Sequence, residues 1–302
     1  MNSDCDLFSF KGYTQTTHTR YLVRQPDMFK TILKITAATL LIIQLPLAGA
    51  DGHGSLAKAL DARSDEAKAR DQFRHPKETL ELFGIKPGMT VIDALPGSWY
   101  GDIIAPLIGS EGKYIGIRYG KWRLGYRYPN EVEERWKSAQ SFLTDWPKAA
   151  AQYGGGKNSP ETEAYFFPGL PDSLDGTVDV TLFIRALHHT NRYDSKYLDM
   201  TAADAFRVLK SGGVAGVVQH RAPEDADDAW ANGAAGYLKQ SRVIEAFKNA
   251  GFILDNASEI NANRKDQPKT GDIVWRLAPS NKSPEALAIG ESDRMTLVFR
   301  KP

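Results

Sequence analysis

Histidines follow two of the apolar runs that are typical of buried strands. His188 and His189 come shortly after one run, and His220 and Arg221 close the next. In an open α/β sheet, ligands bind outside the carboxyl ends of the strands. An imidazole can accept a proton near neutral pH, and a guanidinium group can hold an anion. The sequence therefore predicts His188 and His220 as candidate general bases and Arg221 as a residue that orients an anionic substrate.

The same histidines have two other interpretations. Each of them could hydrogen-bond a neighbouring loop and take no part in chemistry. Together, His188, His189 and His220 could in principle bind a metal ion, but no carboxylate joins them at a spacing typical of a metal site. We therefore predict no metal centre.

A second candidate site is the turn after the first predicted strand. An apolar run ends at Asp93, and Pro96, Gly97 and Ser98 then predict a tight turn. The pattern becomes helical from Trp99. A strand, a turn of small residues and a helix together present backbone N–H groups to a nucleotide-like ligand.

Strands that alternate with helices must position these residues. Seven runs are typical of strands: residues 90–95, 113–117, 164–167, 178–184, 214–220, 252–260 and 295–299. Helical patterns cover residues 131–146 and 197–209, and Ser211-Gly212-Gly213 is typical of a helix end. Because most strands are apolar throughout, we predict an α/β fold whose mostly parallel sheet has helices on both faces. Prolines before the last run disfavour a crossover helix, so the last strand is expected to be antiparallel.

Composition restricts the class of protein. The chain has 302 residues, of which 42% are hydrophobic and 25% are charged, as in soluble proteins with a buried core. The formal net charge of +1 argues against nucleic acid or an acidic membrane as the main partner. Cys5 is the only cysteine, which excludes an internal disulfide and a cysteine-rich metal site.

The N-terminal region has the pattern of a secretory signal peptide. Lys30 and Lys34 precede an apolar run at residues 35–50, and Ala48-Gly49-Ala50 is typical of a cleavage site. An uncleaved anchor is the alternative, although the run is short for a membrane span.

The residues before this run are polar and unpatterned, so Met28 is the predicted start of the protein. Residues 1–50 are then an upstream segment and a signal peptide with cleavage near Ala50, and residues 51–302 form a single domain. Such a protein is expected in the periplasm or outside the cell.

Four segments share motifs with one family. They lie at residues 70–109, 208–226, 236–268 and 288–302, and they include PGSWYGDIIAP, VLKSGGVAGVVQHRA, NANRKDQP and AIGESDRM. These segments resemble the class I S-adenosylmethionine-dependent methyltransferases, and more closely a bacterial group of exported methyltransferases. The resemblance implies a Rossmann-like, seven-stranded sheet with an antiparallel last strand. It also implies S-adenosyl-L-methionine as cofactor, with its methionine end held by Asp93, Pro96, Gly97, Ser98 and Trp99.

Two positions depart from the family pattern. Pro-Gly-x-Gly-Trp-Tyr is one residue shorter here, as Pro-Gly-Ser-Trp-Tyr. The acid that usually binds the ribose hydroxyls after the second strand is replaced by Arg118, which cannot accept a hydrogen bond. The basic and aromatic residues around it could hold an anionic or aromatic substrate or form a solvated loop: Lys121, Trp122, Arg123, Tyr126, Arg127 and Tyr128.

The polar stretch at residues 261–293 separates the last two predicted strands. It is either a lid or substrate loop, or a variable surface loop. The resemblance favours a role at the site for the polar residues in and beside it: Glu259, Asn261, Asn263, Arg264, Lys265, Asp266, Glu291, Ser292, Asp293 and Arg294.

Two functions follow from these patterns. The first is an S-adenosylmethionine-dependent methyltransferase acting on an unidentified small molecule. The alternative is a catalytically degenerate protein of the same fold that binds another ligand in the periplasm. A nicotinamide oxidoreductase is disfavoured because the full Gly-x-Gly-x-x-Gly and the acid after the second strand are absent. The predicted partner is a small-molecule substrate, with no nucleic acid and no stable membrane span after signal cleavage.

Overall fold

Helices and strands alternate along the chain. The computed structural model describes residues 50–302, so the predicted start at Met28 and the predicted signal sequence up to residue 49 lie outside the described residues. The strands are β1 (Thr90–Ala94), β2 (Lys113–Tyr119), β3 (Glu161–Phe167), β4 (Val178–Ile184), β5 (Leu209–Ala222), β6 (Leu238–Lys239), β7 (Ile253–Ser258) and β8 (Arg294–Arg300). The α-helices are α1 (Ala50–Asp61), α2 (Asp65–Lys68), α3 (Asp71–Arg74), α4 (Pro76–Leu82), α5 (Ser98–Ile108), α6 (Lys121–Arg127), α7 (Val132–Ala139), α8 (Phe142–Ala150), α9 (His188–Tyr193), α10 (Lys196–Val208), α11 (Gln240–Asn249) and α12 (Pro284–Ile289).

The strands form one mixed sheet in the order β3-β2-β1-β4-β5-β8-β7, and the short β6 pairs with the end of β5. All neighbours from β3 to β5 are parallel, whereas β8 is antiparallel to both β5 and β7. The predicted α/β fold, with seven mostly parallel strands and an antiparallel last strand, is therefore confirmed.

Helices cover both faces of the sheet. Alternate residues of β1 point to opposite faces, so Val91 packs in one hydrophobic cluster and Ile92 in the other. The Val91 face is covered by α1, α4, α5 and α8, and the Ile92 face by α10 and α11. Among the described residues, no helix has the length and apolar character needed to cross a membrane.

The structure corrects three local predictions. The helix expected over residues 131–146 is two helices, α7 and α8. Ser211-Gly212-Gly213 lies inside β5 rather than ending a helix, at a shift in register between β4 and β5. Glycine is required there, because Gly212 has φ +78 and a Cβ on Gly213 would lie 2.8 Å from the Lys210 carbonyl oxygen. The basic and aromatic segment after β2 is not a loop but forms helix α6.

Candidate functional site

The two central strands end in strained backbone. Leu95, directly after β1, and Arg185, directly after β4, both have a backbone φ of +59, which residues other than glycine rarely adopt. Such strain costs about 1–3 kcal/mol per residue and is concentrated at functional sites. The candidate site therefore lies at the carboxyl edge of the sheet, where the sequence places it.

The turn between β1 and α5 is open to solvent. Gly97 and Ser98 are exposed, and a Cβ built on Gly97 would meet no atom within 4 Å. Gly97 has an extended backbone and immediately precedes α5, whose first N–H groups have no acceptor within the helix. These N–H groups and the positive end of the helix dipole can bind an anionic group.

Asp93 lies in β1, just before this turn. Its carboxylate is 3% exposed and accepts a hydrogen bond of 2.7 Å from the hydroxyl of Tyr114 on β2. Burial raises the pKa of Asp93 to about 7, although the Tyr114 hydroxyl and the charge of Arg185 act in the opposite direction. Asp93 therefore changes its charge close to neutral pH.

Trp99 is held by the N-terminal helices. Its indole Nε1 donates to the Ala67 carbonyl oxygen at 3.1 Å, and the guanidinium groups of Arg63 and Arg74 lie 5.2 and 4.6 Å from its ring centroid. Trp99 therefore anchors α5 to the segment before β1. Pro96 is partly buried at the start of the turn. The predicted cofactor contacts of Asp93, Pro96, Gly97, Ser98 and Trp99 remain predictions.

A cavity of about 340 Å³ lies beside the ends of β1, β2 and β3. Tyr119, Trp136 and Phe166 contribute aromatic rings to its wall, and Arg123 and His189 contribute nitrogens. Arg123 Nε and His189 Nδ1 are buried without a hydrogen-bond partner in the described part of the chain. Burial and neighbouring positive groups lower the pKa of His189 to about 3, so its ring is neutral and can accept a hydrogen bond.

The basic residues at this cavity are not balanced by acid. Arg118 is exposed, and its guanidinium lies 4.7 Å from the ring centroid of Phe142. Trp122 is structural, because it stacks on Tyr197 and donates to the Phe167 carbonyl oxygen. Among residues 50–302, no aspartate or glutamate lines the cavity.

His188 and His220 come together as the sequence predicts, with ring centroids 5.9 Å apart. Burial lowers the pKa of His188 to about 4, so the ring is neutral at pH 7. Gln219 Oε1 accepts a hydrogen bond from the Leu187 N–H, and its Nε2 donates to the Gly236 carbonyl oxygen and lies 3.5 Å from His188 Nδ1. An amide nitrogen can only donate, so Nδ1 accepts and the ring proton is on Nε2. His188 therefore presents a hydrogen-bond donor to a ligand.

His220 has a different environment. Its Nδ1 lies 2.6 Å from Ser292 Oγ, and that hydroxyl also accepts from Arg294 Nε at 3.4 Å. A serine oxygen has two lone pairs, so it can accept from both groups and leave His220 Nε2 free to accept a proton. Burial and the positive charge of Arg294 hold the pKa of His220 well below its usual range. Of the two predicted bases, the geometry favours His220.

Arginines surround a single buried glutamate next to these histidines. Glu291 is 4% exposed and forms ion pairs with Arg70, Arg74 and Arg294. Although burial acts in the opposite direction, the three arginines hold the pKa of Glu291 below its usual range. Arg185 lies close enough for the charges of Arg294, Glu291 and Arg70 to act on it. We call these five residues the basic cluster.

Carboxylates accept hydrogen bonds from the guanidinium of Arg221. Its guanidinium donates to both carboxylate oxygens of Glu259 at 2.7 Å and to Asp293 at 2.8 Å. These bonds raise the pKa of Arg221 above its usual range. Arg221 borders a separate cavity of about 500 Å³ with Asp266 and Lys269. Its predicted contact with an anionic substrate remains a prediction.

Most polar residues of the 261–293 stretch hold that segment in place. Asn261 Nδ2 donates to Thr79 and Thr296, and Asn263 Nδ2 donates to the Glu291 carbonyl oxygen. Asp266 accepts hydrogen bonds from Arg276, Tyr237 and the Asp293 N–H. Glu291, Ser292 and Arg294 instead reach the candidate site. Arg264 and Lys265 are exposed, and Lys265 Nζ donates to the Ala288 carbonyl oxygen.

No group of three or more histidine, cysteine, aspartate or glutamate side chains in the described part of the chain could hold a metal ion.

Four residues of the site were not singled out from the sequence: Arg70, Arg74, Arg185 and Gln219. Arg185 follows β4 directly, and Gln219 is a polar residue inside an apolar run, so both left a signal in the sequence. No sequence pattern indicates Arg70 and Arg74, because their partner Glu291 is 221 and 217 residues away in the chain.

No protein-family model matches the chain, and no curated protein does. Solved structures match it at low identity. A SAM-dependent methyltransferase from Aquifex aeolicus is 15% identical over 82% of this chain and 98% of that chain, with a TM-score of 0.45. An arsenic(III) S-adenosylmethionine methyltransferase from Chlamydomonas reinhardtii is 17% identical over 82% and 73%, with a TM-score of 0.42. Geranyl diphosphate C-methyltransferase from Streptomyces coelicolor A3(2) is 10% identical over 76% and 79%, with a TM-score of 0.46. At these identities the likeness concerns the fold alone.

Proposed function

We propose that this protein is an S-adenosylmethionine-dependent methyltransferase that acts on a small molecule. The observation that carries the proposal is the open turn at Gly97, which lies at the N-terminal end of an 11-residue helix and shortly after the buried Asp93 of β1. The strand order and the antiparallel β8 agree with the fold that the family resemblance implies.

The turn fits the methionine end of the cofactor. The free N–H groups at the start of α5 suit its carboxylate, and the carboxyl of Asp93, buried just before the turn, can act on its ammonium group through charge. Because Gly97 has no Cβ and open space beside it, a ligand can approach the backbone closely. When bound, S-adenosylmethionine supplies a methyl group on a positively charged sulfur.

The cavity beside β2 has side chains that could bind a nucleoside without a carboxylate. The neutral ring of His189 can accept a hydrogen bond from a ribose hydroxyl, and the guanidinium of Arg123 can donate one. The rings of Tyr119, Trp136 and Phe166 suit a purine base. We therefore assign the role of the missing carboxylate to His189.

We assign the histidine pair to the methyl acceptor, because both rings lie at the same carboxyl edge of the sheet as the turn. Methyl transfer depends mainly on positioning, and a base is needed only when the acceptor must lose a proton. His220 Nε2 is the atom that can take this proton, and His188 Nε2–H can hold an electronegative atom of the acceptor.

Calorimetric titration of the full chain with S-adenosylhomocysteine tests the proposal. We expect saturable binding that is weakened at least tenfold by His189→Leu, because this change removes the proposed ribose acceptor. Lys137→Leu, which changes an exposed residue of α7, is the matched control. Absence of heat with millimolar S-adenosylhomocysteine and S-adenosylmethionine would contradict the proposal.

The second candidate is a catalytically degenerate protein of the same fold that binds another ligand in the periplasm. Arg118 and Arg123 at a cavity without acid favour it, since such a lining suits an anionic aromatic molecule. Mass spectrometry of ligands released from the purified protein separates the two functions. A nucleoside thioether supports the methyltransferase, whereas an aromatic anion supports the alternative. Cell fractionation tests the proposed export.

A further inference from the structure

The basic cluster contains more positive charge than its own carboxylate can balance. Arg70, Arg74 and Arg294 share Glu291 as their only ion-pair partner within residues 50–302, and Arg185 adds a fourth positive charge. Asp93 acts on Arg185 from the β1 side, but its carboxyl is partly protonated at pH 7.

Burial makes this imbalance costly. Arg74 and Arg294 are 3% and 2% exposed. A buried cation that lacks a full counter-charge is unfavourable, because the solvent that would stabilise it is excluded. Consistent with this, burial and the neighbouring arginine Arg185 lower the pKa of Arg74. The site is therefore electrostatically prepared for an added anion.

Arg185 is the arginine that can receive that anion. Within the described chain, its guanidinium forms no ion pair and no hydrogen bond, and the residue keeps some exposure to solvent. The backbone at Arg185 is fixed, because its N–H donates to the Val218 carbonyl oxygen at 2.6 Å and its φ of +59 lies in the left-handed region. An arginine that starts from a fixed backbone and keeps its donors free is suited to bidentate binding of an oxyanion.

The neighbouring strands add polar groups to the same edge. His220 on β5 is paired in register with Arg294 on β8, and β5 is the parallel neighbour of β4, which Arg185 follows. The ring centroid of His188 lies 5.9 Å from that of His220. An oxyanion bound by Arg185 would therefore lie beside the proposed base and within the field of the basic cluster.

We infer that the methyl acceptor carries an oxyanion, a carboxylate or a phosphate, and that Arg185 binds this group. That the bound molecule is a methyl acceptor rests on the proposed function. Binding of an oxyanion at Arg185 does not depend on it. Arg185 is a binding residue in this assignment, and the basic cluster supplies the field that attracts the ligand.

Thermal unfolding of the full chain with added inorganic phosphate or acetate, against potassium chloride at equal ionic strength, tests the inference. We expect one of the two oxyanions to raise the unfolding temperature of the wild type saturably. Arg185→Gln should raise its apparent Kd at least tenfold, and Arg185→Lys should raise it less. Arg300→Gln is the matched control, because Arg300 is exposed at the other end of β8 and pairs with Asp255. Circular dichroism establishes that each variant is folded.

The outcomes are distinct from those of the cofactor titration. Stabilisation by phosphate alone identifies a phosphorylated acceptor, and stabilisation by acetate alone identifies a carboxylic acid. The inference is overturned if neither exceeds chloride, or if Arg185→Gln binds them as the wild type does. Binding of S-adenosylhomocysteine without anion binding supports the proposed function and overturns this inference. Anion binding without binding of S-adenosylhomocysteine supports the anion site and contradicts the proposed function.

Discussion

The carboxylate of Asp93 on β1 accepts a 2.7 Å hydrogen bond from the hydroxyl of Tyr114 on the neighbouring strand β2. Burial raises the pKa of this carboxyl from 3.8 to about 7. Between these two values the folded protein binds a proton that the unfolded chain releases. The contribution of Asp93 to stability is therefore greatest at low pH and falls as the pH rises towards 7.

Asp93→Asn should remove this dependence. The free energy of unfolding of the variant, relative to the wild type, should increase between pH 4 and pH 7, by about 1.4 kcal/mol for each unit of pKa shift. Urea denaturation across this range measures the difference. Asp255→Asn, at an exposed position paired with Arg300, controls for the loss of one carboxylate. Parallel pH profiles for Asp93→Asn and the wild type would contradict the assignment.

The contribution of His188 to stability should change with pH in the opposite direction. Burial lowers its pKa from 6.5 to about 4, so the unfolded chain binds a proton that the folded protein does not. The contribution of His188 to stability is complete above pH 6.5 and is lost as the pH falls towards 4. His188→Asn should therefore lose stability relative to the wild type as the pH rises from 4 to 6.5. The same urea titrations measure this, and a difference that stays constant with pH would refute it.

Gly97 and Gly101 should separate ligand binding from folding. Gly97→Ala fills space that is open in the structure, so stability should change by less than about 0.5 kcal/mol while S-adenosylhomocysteine binding weakens at least tenfold. Gly101→Ala places a Cβ 2.4 Å from the ring of Tyr153, so it should destabilise the fold by about 1–3 kcal/mol. Calorimetry and urea denaturation give the two readouts. Unchanged binding in Gly97→Ala would argue against a cofactor at this turn.

Glu291 should be far more important for stability than Glu259, although both pair with arginine. Glu291→Gln leaves three arginines without a counter-charge in a buried site, which should cost about 3–5 kcal/mol. Glu259 is 67% exposed in its side chain, so Glu259→Gln should cost at most about 1 kcal/mol. Equal losses in urea denaturation would show that the basic cluster is solvated rather than buried.

The positions of several site residues can be predicted from where the strands end in the sequence. Apolar runs locate the parallel strands, and the edge that these strands share brings His188 and His220 together, as the strand pattern alone predicts. The same reasoning places Arg185 at that edge, although the sequence pattern gives it no role. Side chains at strand ends are thus predictable in position because the sheet itself fixes where they lie.

Charge pairing between distant segments is what the sequence does not reveal. Arg221 has the right position for an anion site, but Glu259 and Asp293 occupy its donors. Arg70 and Arg74 lie before the first strand, and nothing in their local pattern connects them with Glu291. Such pairings depend on how loops return to the sheet, which hydrophobic periodicity does not encode.

The position of β8 has a consequence for biosynthesis. This strand lies between β5 and β7 in the sheet and contributes Arg294, although it follows β7 in the chain. A nascent chain that has not yet released residues 291–294 from the ribosome has an unpaired edge on β5 and no Glu291 to gather Arg70 and Arg74. The edge of β5 and the ion pairs of Arg70 and Arg74 are therefore completed only after β7 has been synthesised.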